Sequence, residues 1–452
     1  MAERPDPKAA ETHPFVARPH RTFAVLSAPV LASLIAEPLT GIVDTAFVAR
    51  LGATPLAALG AATVLLSSLF WIFNFLGIGT QTEVAQAAGR ADGTGPEAAT
   101  LALATAALIG VGLALGLWPL LPALAAFMSD DPALLGDMHI YLSIRLLGAP
   151  AVLLLLAGFG ALRGLEDMTT PLWIAAGANA ANAALDPLLI FGWGPIPAFG
   201  IAGAAWASVV GQWLGALWVL VAVRRRLGFA PRVPWRDALG LFVVGRDLFL
   251  RTGLLTLFLL LATRTATQIG PDSGAANAAA RQVWLLSAFL LDAYAASAQS
   301  LVGRFLGAGN RALARRVATV ACTWGLASGF AIAALMALGE QATADLLVPE
   351  SARSVFPGAW YLLALAQPLN ALSFVTDGIH WGARDYRYLR NAMLAATLAG
   401  AVLLGFADSL AAVWGITAAW IGIRAAFGVA RVWPGIGRAP LRGDPRPGDL
   451  AP

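Results

Sequence analysis

Charged residues are scarce in this chain. They make up 12% of its 452 residues, whereas 58% are hydrophobic and the mean hydropathy is +0.71. An ordinary soluble domain has about a quarter charged residues, so these charges could not cover a globule of this length with a hydrated surface. The composition therefore disfavours a soluble all-α protein and indicates a membrane protein.

Cysteine and histidine are too sparse for a disulfide framework or a metal centre. Cys322 is the single cysteine and lies in an apolar run, and the four histidines are scattered. The sequence has no HExxH zinc motif, no aspartate-rich prenyl-transfer motif and no GxxxxGK[ST] phosphate loop. An integral-membrane enzyme is therefore disfavoured, and we expect no cofactor and no resident metal.

Apolar runs long enough to cross a bilayer follow one another along the chain, since a helix needs about 20 residues to span the hydrocarbon core. Turn and charge breaks predict spans at 22–49, 55–88, 98–127, 136–162, 171–192, 200–223, 240–269, 275–305, 313–338, 354–382, 389–407 and 412–432. The predicted fold is an all-α membrane protein of twelve transmembrane helices. Polar tails at 1–21 and 433–452 and a linker at 224–239 complete the organisation.

The basic residues are distributed unevenly between the two sides of this topology. Most of the 30 Lys and Arg residues lie in or beside alternate loops and the two tails, whereas the other loops hold only Arg50 and Arg353. Basic residues concentrate in short cytoplasmic loops. We therefore expect a multi-pass protein of a bacterial-type inner membrane with both termini cytoplasmic, and the basic pI does not indicate a nucleic-acid partner.

The two halves of the chain resemble each other at a constant offset of 218 residues. The matched pairs are Gly52 and Gly270, Gln81 and Gln299, Gly89 and Gly307, Pro150 and Pro368, Gly160 and Gly378, Gly164 and Gly382, and Asp167 and Asp385. Internal repeats are typical of transporters. Because each half has six spans, the repeat predicts two six-helix bundles, 22–223 and 240–432, related by a pseudo-two-fold axis along the membrane normal.

Polar residues within the apolar spans are costly and are therefore candidates for function. Glu37 and Asp44 are two helical turns apart in the first span, downstream of Pro29, which permits a bend. In the fifth span three polar residues follow one helical stripe: Asn179, Asn182 and Asp186.

These polar residues break the internal repeat. A structural role would be expected in both halves, so the asymmetry favours function, with a satisfied interhelical hydrogen-bond cluster as the alternative. The second half has Ala262, Gly400 and Leu404 at the positions of Asp44, Asn182 and Asp186.

The second half has charged candidates of its own. Two roles remain equally open for these residues, either in buried ion pairs or in binding of substrate or ion. They are Asp292, Asp377, Arg251, Arg264 and Arg281. Arg145 and Arg424 lie closer to span ends, where snorkelling to the interface accounts for them.

The chain resembles the multidrug and toxic compound extrusion (MATE) family, in particular its DinF-like branch. The similarity runs from Pro29 to Arg431, and its most specific segments are PVLASLIAEPLTGIVDTAFVARLG at 29–52 and NAANAALDP at 179–187. The resemblance implies two lobes flanking a central cavity and export of drugs or amphiphilic metabolites by alternating access, driven by inward flow of H+, favoured here, or of Na+.

The resemblance also implies roles for individual residues. Asp44 corresponds to the acidic residue of the first helix, Asn182 and Asp186 to the pair on the fifth helix, and Pro29 to the bending proline. Any Na+ would bind at Asp44, Asn182 and Asp186. Glu37 departs from the family pattern, which leaves open a further proton site or a preference for cationic substrates.

The sequence leaves three alternatives open. A major facilitator transporter shares the repeat symmetry but usually has a more basic loop after its second span. A lipid or polysaccharide-precursor flippase of the related exporter superfamily commonly has 14 spans. A membrane-embedded enzyme or a passive channel would not catalyse uphill transport.

The expected partners are the lipid bilayer and a small-molecule substrate, and the protein is expected to be monomeric.

Overall fold

The computed structural model describes residues 12–128 and 131–442, apart from the side chain of Glu37. The outer parts of both predicted tails, 1–11 and 443–452, lie outside this range. Apart from an isolated bridge between Trp193 and Ile196, the regular structure of the described residues is helical. The α-helices are α1 (Pro14–Ala17), α2 (Pro19–Val48), α3 (Ala53–Trp71), α4 (Asn74–Arg90), α5 (Gly95–Leu117), α6 (Leu121–Met128), α7 (Pro132–Leu146), α8 (Ala149–Gly164), α9 (Thr169–Phe191), α10 (Ile201–Arg226), α11 (Ala238–Ile269), α12 (Pro271–Gly307), α13 (Arg311–Leu338), α14 (Glu340–Leu347), α15 (Phe356–Gly382), α16 (Tyr386–Leu404) and α17 (Leu410–Val432).

Each of the twelve predicted spans coincides with one long helix or with a consecutive pair, so the predicted all-α fold is confirmed. Within the described residues, nine helical segments are apolar and long enough to cross a membrane, and two of them join consecutive helices, α3 with α4 and α5 with α6. The pair α7 and α8, bent by 48°, makes a tenth. The remaining two predicted spans, α11 and α16, are also long helices, but they include arginines. Their charges need partners inside the protein or in water.

Glycines that recur in the two halves mark places where helix backbones touch. A Cβ atom added to Gly160 would lie 2.3 Å from the backbone oxygen of Gly77, and one added to Gly378 would lie 2.2 Å from that of Ala295. Gly77 and Ala295 are themselves 218 positions apart, so the repeat preserves the contact as well as the residue. Small residues at such crossings let transmembrane helices approach closely.

We expect Gly378→Ala to destabilise the folded protein by about 1 to 3 kcal/mol, because the added methyl group must displace the α12 backbone. Gly112→Ala on α5 is the matched control, since no atom lies within 4 Å of its Cβ position. Thermal unfolding of both variants in detergent, monitored by size-exclusion chromatography, gives their melting temperatures. Equal melting temperatures for the two variants would contradict the close backbone crossing.

The chain divides into two compact units. The first unit comprises Ala28–Ala88 and Asp92–Gly245. The second unit comprises the described residues up to Ser27, together with Gly89–Ala91 and the described residues from Arg246 onward. Helix α2 therefore passes from one unit to the other just before Pro29.

The part of α2 that precedes Pro29 is fixed within the second unit by specific contacts. The ring of Phe23 lies 5.6 Å from that of Tyr294 and 6.2 Å from that of Trp324, and the hydroxyl of Ser27 donates to that of Ser297 at 3.0 Å. Pro29 interrupts the helical hydrogen bonds two residues later. Pro29, one of two prolines within α2, therefore lies two residues after the point where the helix changes units.

Candidate functional site

Asp44 and Asn182 are joined by a hydrogen bond between α2 and α9 in the first unit. One orientation of the Asn182 amide satisfies both of its ends: the nitrogen donates to Oδ1 of Asp44 at 2.8 Å, and the oxygen accepts from the backbone N–H of Ser208 at 3.1 Å. Asn182 is 4% exposed. A buried amide with both ends bonded is a fixed donor toward the carboxylate.

Asp186 lies one helical turn further along α9 and is fully buried. Its carboxyl group is within hydrogen-bonding reach of the Asp44 carboxyl group, yet neither of its oxygens receives a donor from the described residues. Two ionised carboxylates cannot bond to each other, because both are acceptors only. The pair forms a hydrogen bond only when one carboxyl group carries a proton, so the arrangement fits one shared proton.

Helix α7 contributes Tyr141 and Arg145 to the same cluster. Tyr141 is 3% exposed, and its hydroxyl lies beside Thr63 and Ser208. Arg145 acts electrostatically on Asp44, and its Nε and Nη1 atoms are buried without a hydrogen-bond partner among the described residues. With one shared proton, the two carboxyl groups and this guanidinium have zero net charge, and loss of the proton leaves a net charge of −1.

The other sequence candidates of the first unit are less closely tied to this cluster. Asn179 lies one turn before Asn182 on α9 and is partly buried. Pro29 lies within α2, fifteen residues before Asp44. The side chain of Glu37 lies outside the described part of the chain. The structure thus brings Asp44, Asn182 and Asp186 together and adds Tyr141 and Arg145.

In the second unit Asp377 is the shared partner of two arginines. It pairs with Arg251 on α11 and with Arg424 on α17, at 3.0 Å from the latter. Arg424 is only 5% exposed and is further stabilised by the ring of Trp420, 4.5 Å away. The snorkelling prediction for Arg424 is therefore wrong, because its charge is neutralised inside the bundle. Asp292 also acts electrostatically on Arg424.

Arg264 and Arg281 are placed apart from this buried network. Arg264 is exposed on α11, and Arg281 of α12 donates to the hydroxyl of Thr263 at 3.1 Å. Of the sequence candidates in the second unit, the structure therefore joins Arg251 to Asp377 and leaves these two arginines outside that ion pair.

The sequence contained an unused signal for Tyr141 and Arg145. At the constant offset, the second half has Ala359 and Leu363 in their places. The same broken symmetry that singled out Asp44 would have identified both, but the position of Arg145 near a span end favoured a surface interpretation.

A protein-family model described as MatE matches residues 29–188 and 248–405. Protein DETOXIFICATION 44, chloroplastic, of Arabidopsis thaliana is 31% identical over 91% of this chain and 78% of its own length. DNA damage-inducible protein F of Escherichia coli is 27% identical over 88% of this chain and 85% of its own length. A probable multidrug resistance protein NorM of Deinococcus radiodurans is 28% identical over 91% and 93%.

Among solved structures, a MATE protein crystallised in a bent conformation is similar in fold. The TM-score is 0.84, with 19% sequence identity over 95% of this chain and 97% of that chain.

Proposed function

This chain belongs to the MatE family, and from that premise we propose that it exports small molecules by exchanging them for a proton held between Asp44 and Asp186. Membership makes the chain a multi-pass membrane transporter and not an enzyme. We further propose a bacterial-type inner membrane with both termini cytoplasmic, as the distribution of basic residues favours.

The observation that supports proton coupling is the carboxyl group of Asp186, which lies beside that of Asp44 and receives no donor from the described part of the chain. A buried carboxylate without a donor is costly, and placing a second carboxylate beside it increases that cost. One proton removes both penalties by neutralising one carboxyl group and creating a hydrogen bond. Its departure leaves a net negative site, with Arg145 as the cation that acts on Asp44 among the described residues.

The energy available from one proton is adequate for a conformational change. A unit charge moving through 100 mV contributes about 2.3 kcal/mol, enough to change a two-state ratio by well over tenfold. In the proposed cycle, proton loss changes the contacts of Asp44 with Asn182 and Arg145. Asp44 lies on α2, so the change in its contacts is transmitted along a helix that Pro29 allows to bend. Bending of α2 then accompanies alternating access in the proposed cycle.

Sodium is the alternative coupling ion, because carboxylate and amide oxygens also bind hard cations. Proteoliposomes with a fluorescent cationic drug and separately imposed pH and Na+ gradients distinguish the two. We expect a pH gradient alone to drive uphill drug movement and a Na+ gradient alone to drive none. Uphill movement with Na+ alone would overturn proton coupling, and downhill movement only would indicate a channel.

A further inference from the structure

Two helices of the second unit begin side by side. Nη1 of Arg316, in the second turn of α13, donates to the backbone oxygen of Val16 at 3.1 Å, just before α2 begins. Further along both helices, Nε1 of Trp324 donates to Nδ1 of His20 at 3.1 Å. The contacts advance together along the two segments, so α2 and α13 run in the same direction from a shared end.

Four arginines lie at this shared end. Arg18 immediately precedes α2, and Arg21 lies in its first turn, so the two residues are neighbours on the helix surface. Arg315 and Arg316 lie in the second turn of α13. Three of the four are exposed, and Arg315 is partly exposed. Because the guanidinium of Arg316 contacts the backbone two residues before Arg18, the long side chains of both helix starts can reach one bound anion.

These arginines are not neutralised by acidic residues. Residues 12–27 and helix α13 contain neither aspartate nor glutamate, and none of the carboxylates in the described part of the chain pairs with any of the four. Other arginines at helix ends and in loops have such partners, as Arg226 has in Asp167. Neighbouring guanidinium groups without a counter-ion attract an anion, and guanidinium binds phosphate groups by paired hydrogen bonds.

The internal repeat assigns the basic start of α13 to the second half alone. At the constant offset, the first half has Glu97 and Ala98, in the first turn of α5, where the second half has Arg315 and Arg316. Two helices at corresponding places in the repeat therefore begin with opposite charge. A general preference for basic loops would act on both helices, so the arginines of α13 indicate a more specific role.

The exposed surface beyond the arginines becomes apolar along both helices. On α13 the hydroxyls of Thr319 and Thr323 donate to backbone oxygens one turn earlier, and Phe330 is 63% exposed. On α2 Val25, one turn after Arg21, is also 63% exposed. Helix α13 is apolar and long enough to cross a membrane, so its first turns lie near the headgroups. Charge followed by an apolar surface matches a phospholipid, which has its phosphate at the headgroups and its acyl chains beyond them.

We infer that Arg18, Arg21, Arg315 and Arg316 bind the headgroup of an anionic phospholipid whose acyl chains lie along α2 and α13. A cluster of about four basic residues beside a transmembrane helix is enough to attract anionic lipids. In the proposed orientation this lipid belongs to the cytoplasmic leaflet, but its binding requires neither a proton gradient nor a drug. Because the phosphate contacts both helix starts, the lipid fastens the part of α2 before Pro29 to α13.

Native mass spectrometry of the detergent-purified protein, titrated with dioctanoyl phosphatidylglycerol, measures this binding. We expect the wild type to bind this lipid at least about tenfold more tightly than dioctanoyl phosphatidylcholine, which has no net charge. Arg18→Gln/Arg21→Gln should weaken phosphatidylglycerol binding at least about tenfold. Arg224→Gln/Arg225→Gln is the matched control, because it removes two exposed arginines from the end of α10 in the first unit. Its affinity should stay within about twofold of the wild type.

A charge-preserving variant separates lipid binding from damage to the fold. Arg18→Lys/Arg21→Lys should keep its phosphatidylglycerol affinity within about threefold of the wild type, and without lipid it should melt at the same temperature as the glutamine variant. Unchanged affinity in the glutamine variant, or equal wild-type affinity for the two lipids, would overturn the inference. So would an equal loss in the α10 control, which would indicate attraction to net charge alone. Displacement of the lipid by an equal concentration of inorganic phosphate would overturn it too, because the site would then hold a soluble anion.

Discussion

Asp44→Asn is expected to abolish proton-driven export while leaving the protein folded and in the membrane. The amide has the size of the carboxyl group and can still bond Asn182 or Asp186, but it cannot bind and release a proton. Without exchange, the gradient performs no work on the substrate. We expect the initial rate of drug export under an imposed pH gradient to fall to the level of empty liposomes, at least about a hundredfold below the wild type.

Related variants separate coupling from general damage. Asp186→Asn should also impair export, because its amide permanently donates to Asp44 in the way a protonated carboxyl group does. Asp408→Asn is the control, since Asp408 is exposed in the connection between α16 and α17. Export by Asp44→Asn at the wild-type rate, under the same gradient, would remove Asp44 from the mechanism.

Asp377→Asn is expected to act on stability more than on coupling. Asp377 is 6% exposed and is the common partner of Arg251 and Arg424, both of which are also buried. Removing one member of a buried ion cluster leaves uncompensated charge and typically costs about 3 to 5 kcal/mol. We therefore expect a large decrease in the melting temperature of the detergent-solubilised protein and a low yield of folded protein.

A second substitution tests whether charge balance is the cause. Asp377→Asn/Arg424→Gln removes one charge of each sign, so part of the lost stability should return. The double variant should then export drug under a pH gradient, because the proposed proton site lies in the first unit. A singly substituted Asp377→Asn protein with wild-type melting and no export would contradict the structural role and indicate a coupling site in the second unit.

The internal repeat allowed much of the fold to be predicted from the sequence. Gly160 and Gly378 each lie where two helix backbones touch, and a side chain would not fit there. Their constant offset in the sequence therefore reflects a packing requirement that both halves share. The pattern of apolar runs located every long helix because the hydrocarbon core sets their length. The division of α2 between the two units could not be predicted from the sequence. It depends on contacts of Phe23 and Ser27 with residues some 270 or more positions away.

The candidate site was only partly predictable for a related reason. Spacing along one helix places Asn182 and Asp186 on a common stripe, but no local pattern states which residues of α7 face that stripe. Arg145 and Arg424 both lie toward span ends, where long side chains reach the interface at little cost. Whether such an arginine turns inward depends on carboxylates contributed by other helices, here Asp44 and Asp377.

Proton release on substrate binding tests the central claim most directly. Rhodamine 6G is added to the purified protein in weakly buffered detergent solution, and a pH indicator reports the protons released. If a proton is held between Asp44 and Asp186 as proposed, the wild type should release about one proton per bound drug molecule, and Asp44→Asn should release none at saturating drug. Equal release from the wild type and Asp44→Asn, with the drug bound by both, would contradict the account.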